Sequence, residues 1–417
     1  MKKEFNWIIF IIKWIGVIIA AVALVGVTAY VTHEEAYKSF EGKYNIVEEN
    51  KVSFNGDNMD KSLIAKFQKI QENISNEFYL DYNINSLIEG SIKGMVDGLG
   101  DSYTKYYTAA QYKERSEQLQ GEYIGAGFSI YENILEEDYI LISDVKDETP
   151  AAKAGIKAFD KIVAIDGKGL NEYEDSEYWD MFAEKDRKIN LTLLREEENI
   201  EVELTVSKIV EQSIFSEMLT DKIGYIRIAS FDAKASKDYE AKVDELLNAG
   251  MERLILDLRD NGGGLFSEMY KIANSILPDG SLVYKEINKA GDIKSKFADE
   301  KALNIPVVVL INGNTANAAE ILASTIRDND IAKLVGTKTY GKAISQATYM
   351  FSDGTALVMT VSQFYTKSDY DIQKEKGLNP DEGYAIESYD EYKNTNVQYI
   401  PKYNDVQLSK ALEVLGG

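Results

Sequence analysis

The chain has 417 residues, 45% hydrophobic and 28% charged, a globular composition with room for two or three domains, each with its own core. It has no cysteine and a single histidine, His33, near the N-terminus. That excludes disulfide scaffolds, thiolate zinc sites, cysteine nucleophiles and serine–histidine–aspartate chemistry, so any covalent hydrolysis needs a lysine or carboxylate base. A net charge of -23 argues against phosphate backbones, and no nucleic acid is expected as a partner.

The first element is an uncharged run from Trp14 to Val31, 18 residues, which as a helix spans roughly 27 Å, close to a bilayer core. Lys2, Lys3 and Lys13 precede it and Glu34 and Glu35 follow, so the expectation is a single-pass anchor with the large domain outside the cytoplasm. A cleaved signal peptide is the alternative, with Val27-Thr28-Ala29 as its small-residue site. Residues 34 to about 60 are polar and read as a linker. From Lys61 to Gln118 apolar residues recur at helical spacing, as in Leu63, Ile64, Phe67 and Ile70. Gly98-Leu99-Gly100-Asp101 breaks the pattern, and the aromatic run Tyr103, Tyr106, Tyr107 after it is expected to serve packing.

From about Gly121 the period shortens. Five β-branched runs, YIGAGFSI to IEVELTV, alternate with turns around one short helix that starts at Pro150 and stops at Gly155. From about Ile209 strands and helices alternate: IGYIRIASF, a helix over Lys237 to Ala249, the buried strand RLILDLRD, the helix SEMYKIANSIL, the strand IPVVVLING and a helix over Ala316 to Arg327. This is the pattern of an α/β core.

Three motifs carry chemistry. Gly336 to Ala343 nearly spells a phosphate-binding loop, but Ala343 replaces the magnesium-holding hydroxyl and AISQATYMF reads as strand or loop, so that reading is rejected. Gly262-Gly263-Gly264 closes a buried strand before a helix, where bare N–H groups suit an oxyanion hole as well as a phosphate site. Gly125-Ala126-Gly127-Phe128 leads into a strand edge, a geometry that binds a terminal carboxylate and pairs with an incoming peptide. Followed by DETPAAKAGIKAFDKIVAIDGKGL, it resembles a PDZ domain of the bacterial protease type.

With that module in place, LIEGSIKGMVDGLGDSYTKYY, YIRIASF, LILDLRDNGGGLF, VVVLINGNTANAAEI, GTKTYGKAISQ and LNPDEGY follow the order of the C-terminal processing (tail-specific) peptidases, from about residue 61 to 385. The resemblance implies an α+β multidomain fold: an anchor over 1–33, a linker and helical segment over 34–114, a PDZ domain over 115–208, a peptidase core with crotonase-like sheet and helices over 209–385, and a C-terminal segment over 386–417 that packs back on the core. It implies a serine–lysine mechanism without metal or cofactor. Lys342 stands where the family keeps its general base, and Gln346 where a glutamine orients it. The nucleophile position holds Asn317, whose carboxamide has no ionisable hydroxyl. Asparagine suits a helix N-cap, so the fold is expected to survive while the chemistry does not. Thr315 lies two residues too early to attack, and the backbone N–H groups of Ala318 and Gly263 are the oxyanion candidates. A local departure from the family lies at Ser368-Asp369-Tyr370. The implied partners are C-terminal tails of exported or membrane proteins, bound at Gly125, Ala126, Gly127 and Phe128, with homo-oligomerisation left open. The chain is expected either as a peptidase homologue inactive as written or as a pseudopeptidase that binds peptides or acts as an adaptor.

Overall fold

The computed structural model describes residues 61–131, 139–173, 177–299, 302–387 and 405–416. The expected membrane span, the linker before it reaches residue 61, His33 and most of the segment after 387 lie outside them. Among the described residues no helix is long and apolar enough to cross a membrane.

Helix α1 (Lys61–Glu77) belongs to a compact unit separate from the one that begins at Asn85. In the larger unit the helical reading over 61–118 is interrupted. Helix α2 (Ile84–Asp97) stops at the Gly98–Gly100 turn, strand β1 (Lys105–Tyr107) follows, and α3 (Ala109–Leu119) starts from a Thr108 capping box with Gln111. The strand interrupts the helix because Asp101 accepts from the Tyr103 N–H at 3.0 Å and the Thr104 hydroxyl at 2.6 Å, folding a turn where helix would continue.

The β-rich module contains β2 (Glu122–Gly125), β3 (Phe128–Ile130), β4 (Ile140–Val145), α4 (Pro150–Lys153), β5 (Lys161–Ile165), β6 (Lys168–Gly169), α5 (Glu177–Ala183), β7 (Lys188–Arg195), β8 (Glu198–Thr205) and β9 (Ser207–Val210). YIGAGFSI is therefore two strands, not one. Gly127, at φ 89, breaks it, in a conformation that L-residues avoid. Strands run β3-β4-β5-β7-β8, leaving β3 at an edge, while β2 pairs with β9. Ile142, Ile162, Ile165, Ile189, Leu191 and Leu193 fill its core.

The α/β core then runs β10 (Ile214–Met218), β11 (Ile223–Ile228), α6 (Ala235–Asn248), β12 (Arg253–Asp257), α7 (Phe266–Ile276), β13 (Leu282–Asn288), β14 (Ile293–Phe297), β15 (Val307–Ile311), α8 (Ala318–Asp328), β16 (Ala332–Gly336), β17 (Ile344–Met350) and β18 (Ala356–Tyr365). One sheet has the order β10-β11-β12-β15-β16, parallel from β11 onward. Its strands read as unbroken apolar runs because both faces are covered. Leu254, Leu256, Val307 and Val309 meet α6, α7 and α8, while Ile255, Val308 and Leu310 face α9 (Val406–Val414) through Leu408, Ala411 and Leu415. The described part of the C-terminal segment thus packs on the core, as the tail reading expects. A second, antiparallel sheet orders β1-β18-β13-β14, with β17 also on β18.

The tail is fastened by a buried ion network. Arg259 donates to Asp257 at 2.6 Å, to Asp405 at 2.8 Å and to Gln407 at 3.1 Å, and Tyr225 donates to Asp257 at 2.7 Å. Asp405 also caps α9 through the Leu408 N–H. Asp405→Ala removes the cap and leaves Arg259 half-paired in the interior, so urea unfolding is expected to show a loss of about 3 kcal/mol; a loss within about 0.5 kcal/mol, as at an ordinary surface position, contradicts this role.

Candidate functional site

Two loops of the parallel sheet and one of the antiparallel sheet converge. After β12 the chain turns through Asn261, Gly262, Gly263 and Gly264, and after β15 it runs through Asn312 to Thr315 into α8. Asn261, fully buried, ties the two together. It accepts the Gly263 N–H on Oδ1 and the Ala316 N–H on its carbonyl, both at 2.8 Å, and donates to Ile228 O at 2.8 Å. Thr315 is also structural. Its hydroxyl donates to Leu258 O at 2.8 Å and accepts from the Asn312 N–H at 3.0 Å, so it is not free to act as a nucleophile.

Asn317 stands at the start of α8 with φ 55 and ψ -118, a backbone state that costs a non-glycine residue on the order of 1–3 kcal/mol. The N-cap expectation for its side chain does not hold. With φ positive the carboxamide makes no cap bond, and its buried Oδ1 has no partner. The Asn317 N–H instead donates to Glu320 Oε2 at 3.0 Å. The glycine turn presses close, since a Cβ on Gly263 would lie 2.9 Å from the Asn317 Cβ and 3.3 Å from the Ala318 nitrogen. Of the two oxyanion candidates, Ala318 opens α8, where an N–H has no intrahelical acceptor. Gly263 differs from expectation: its N–H is already donated to Asn261, and its place is explained by close approach to Asn317 and by φ 107.

Lys342 enters on the segment before β17. Its N–H donates to Glu320 Oε2 at 2.7 Å, the same oxygen that holds Asn317, and Tyr340 N–H donates to Thr315 O at 3.0 Å. Expected base and expected attack position are therefore fastened to one atom. The Lys342 ammonium lies 4.5 Å from the centre of the Tyr103 ring and forms no ion pair among the described residues. Burial, with the neighbouring charge of Arg115, holds its pKa below the usual lysine range. Tyr103 itself is pushed up to about 12 by burial and by its hydrogen bond to Tyr340, so the ring facing the amine stays uncharged.

Gln346 lies in β17, opposite Thr360 of β18, and its Nε2 donates to the Tyr103 carbonyl at 2.7 Å. Its hold on the lysine thus runs through Tyr103. Tyr103 was expected only to pack; in the fold it is the floor beneath Lys342, placed there by Asp101. Asp101 in turn accepts from the Thr360 hydroxyl at 2.6 Å. These hydrogen bonds, working against burial, hold the Asp101 carboxyl below its ordinary range.

In the β-rich module, Gly125 ends β2, Ala126 and Gly127 form the turn, and Phe128 opens edge strand β3. Ala126 O accepts from the Ala151 N–H and Gly127 O from the Lys146 N–H. A Cβ at Gly127 would sit 2.2 Å from Thr149, the residue that caps α4. Phe128 packs edge-on against Phe182 of α5 at 5.4 Å. Lys146 pairs with Glu211, just after β9, at 2.5 Å, and Ala233 N–H of the core donates to Leu119 O at the end of α3.

Residues 222–384 match peptidase family S41, residues 123–206 a PDZ domain and residues 19–110 the N-terminal domain of the activating protease CtpB. The carboxy-terminal processing protease CtpA of Bacillus subtilis is 31% identical over 322 residues, 76% of this chain and 68% of that one. The carboxyl-terminal-processing protease of Synechocystis is 33% identical over 335 residues, covering 78% and 76%. A solved structure described as an S41 protease from Bacteroides fragilis, 19% identical, shares the fold with a TM-score of 0.52 over 88% of this chain and 99% of its own.

The environment of Lys342 sets a pH dependence. Its neutral form appears below the usual lysine range, so an amine-acylating reagent is expected to label Lys342 at lower pH than it labels a free lysine model peptide, and Arg115→Gln to move that onset upward. Mapping labelled peptides across pH checks this; onset together with the model peptide contradicts it.

Proposed function

The chain belongs to the carboxy-terminal processing proteases of peptidase family S41, and we propose that it captures C-terminal tails of exported or membrane proteins at a serine–lysine site that lacks its attacking hydroxyl. The carrying observation is Asn317 itself, on a strained elbow, with its N–H and that of Lys342 on one Glu320 oxygen. In this reading a tail adds to the open edge of β3, its carboxylate facing the Gly125–Phe128 turn, and the adjoining chain is delivered to the core. A half-buried amine with a lowered pKa can take a hydroxyl proton near neutral pH. Asn317 offers no such proton, and its amide nitrogen is a weak nucleophile, so no acyl-enzyme forms as the sequence stands.

The apolar span Trp14–Val31, lysines before it and glutamates after it, supports a single-pass anchor that leaves the remainder outside the cytoplasm.

Asn317→Ser tests the catalytic reading in the intact chain. The parent is expected to leave an unstructured peptide uncut. The variant cuts it, faster with rising pH through the lowered Lys342 pKa, and slower when the peptide's C-terminus is amidated. Adding Lys342→Ala abolishes the gain. A folded Asn317→Ser chain that binds peptide without cutting it favours a binding or adaptor role; cutting by the parent chain overturns the assignment of position 317.

A further inference from the structure

We propose that Asn317 is a self-modification site, at which the backbone nitrogen of Ala318 closes on the Asn317 side chain to form a succinimide that water opens to an aspartyl or isoaspartyl residue. The inference rests on backbone geometry and on what does and does not hold the side chain, and it is independent of whether the chain captures or cuts peptides.

A succinimide is a five-membered ring through the Asn side chain and the next residue's nitrogen, so it closes only when the Cα–Cβ bond nearly eclipses the C–N bond to that residue. On a tetrahedral Cα the side chain is offset from the residue's own nitrogen by a third of a turn. Helix (ψ about −42°) and strand (ψ about +135°) both swing the following nitrogen away from the side chain. Asn317 at ψ -118 does the opposite and aligns the two bonds. Among asparagines in ordinary secondary structure this alignment is absent, because it accompanies a φ that L-residues avoid.

Four contacts keep the alignment in place. The Asn317 N–H donates to Glu320 Oε2 at 3.0 Å, and its carbonyl accepts from Ile321 at 3.1 Å. Ala316 is tied to Asn261 at 2.8 Å, and Gly263 lies so near that a Cβ on it would sit 2.9 Å from the Asn317 Cβ. The two reacting groups are left unengaged. Asn317 Oδ1 has no hydrogen-bond partner, the carboxamide makes no cap bond, and the Ala318 N–H is at the first helical position, without an intrahelical acceptor. The fold has fixed the backbone in the conformation the ring needs and has not fixed the amide away from it.

The step balances without an oxidant or added reactant. The Ala318 nitrogen gives its proton to solvent base and bonds to the Asn317 Cγ; the Cγ–Nδ2 bond breaks and ammonia leaves with a proton. Water then cleaves one of the two imide C–N bonds. Opening at the side-chain carbonyl restores the original chain as aspartyl, and opening at the main-chain carbonyl gives isoaspartyl. Either product puts a carboxylate beside the Lys342 segment.

The test incubates the full chain folded at mildly alkaline pH and, in parallel, unfolded in urea at the same pH. Acid-phase digestion and mass spectrometry then follow amide-to-acid conversion at positions 317 and 314, with enzymatic methylation to score isoaspartyl. Conversion at Asn317 is expected about tenfold or more faster in the folded chain than in the unfolded one, and to rise with pH, because the fold pre-aligns the reacting atoms. Exposed Asn314, whose backbone φ is not positive, is expected to show no such acceleration. Conversion at Asn317 that is equal or slower in the folded chain overturns the proposal, as does scission between 317 and 318 in place of conversion.

Discussion

The site depends on one buried carboxylate. Glu320, with no exposed surface, accepts from the N–H groups of Gly341 and Lys342 at 2.7 Å each, from that of Asn317 at 3.0 Å, and from the Thr339 hydroxyl. An unpaired carboxylate in that position would be prohibitively costly, whereas four donors, several of them backbone amides held by secondary structure, compensate the lost hydration. The result is a rivet between two sheets. One sheet supplies α8 and Asn317, the other the lysine segment, and the same side chain holds both. Thr339 extends the grip, since its hydroxyl accepts from the Leu378 N–H at 2.7 Å.

Around this rivet each sheet performs a separate task. The parallel sheet brings the ends of β12 and β15 side by side, and Asn261 stitches them so that the glycine turn presses on Asn317. The antiparallel sheet uses β18 as a common wall. Strand β1 lines one side of it and β17 the other, so Tyr103 and Gln346 meet although 243 positions separate them. The amine of Lys342 gains an uncharged aromatic floor in place of a counterion, which is why burial lowers its pKa. A carboxylate there would have paired with the ammonium and removed its capacity to accept a proton.

Much of the fold was legible in the sequence because its core strands are plain. LIL in β12 and VVVLI in β15 are apolar since helices cover both faces, and the α6, α7 and α8 periods stand out beside them. Lys342, Gln346 and Asn317 were legible through the motifs around them. The contacts that bring them together were not. Glu320, Asn261 and Asp101 act through partners far along the chain, and no local period marks such residues; only the Gly98-Leu99-Gly100-Asp101 break hinted that Asp101 closes a turn. Two expectations failed for the same reason, tertiary contact overriding local preference. The capping tendency of asparagine yields at 317 to a backbone held at positive φ, and the Gly263 N–H, bare in the motif, is taken by Asn261.

The buried Glu320 side chain is what chiefly keeps the lysine segment and the start of α8 in register, with the bond from Tyr340 N–H to Thr315 O beside it. Amide hydrogen exchange on Glu320→Gln addresses this directly, because a carboxamide of nearly the same shape presents an NH2 group where the donors need an acceptor. The amides of Asn317, Gly341 and Lys342 are predicted to lose protection together, while those of Val307–Ile311 in the core sheet keep theirs. Parental exchange at the three amides in a folded variant would contradict the claim.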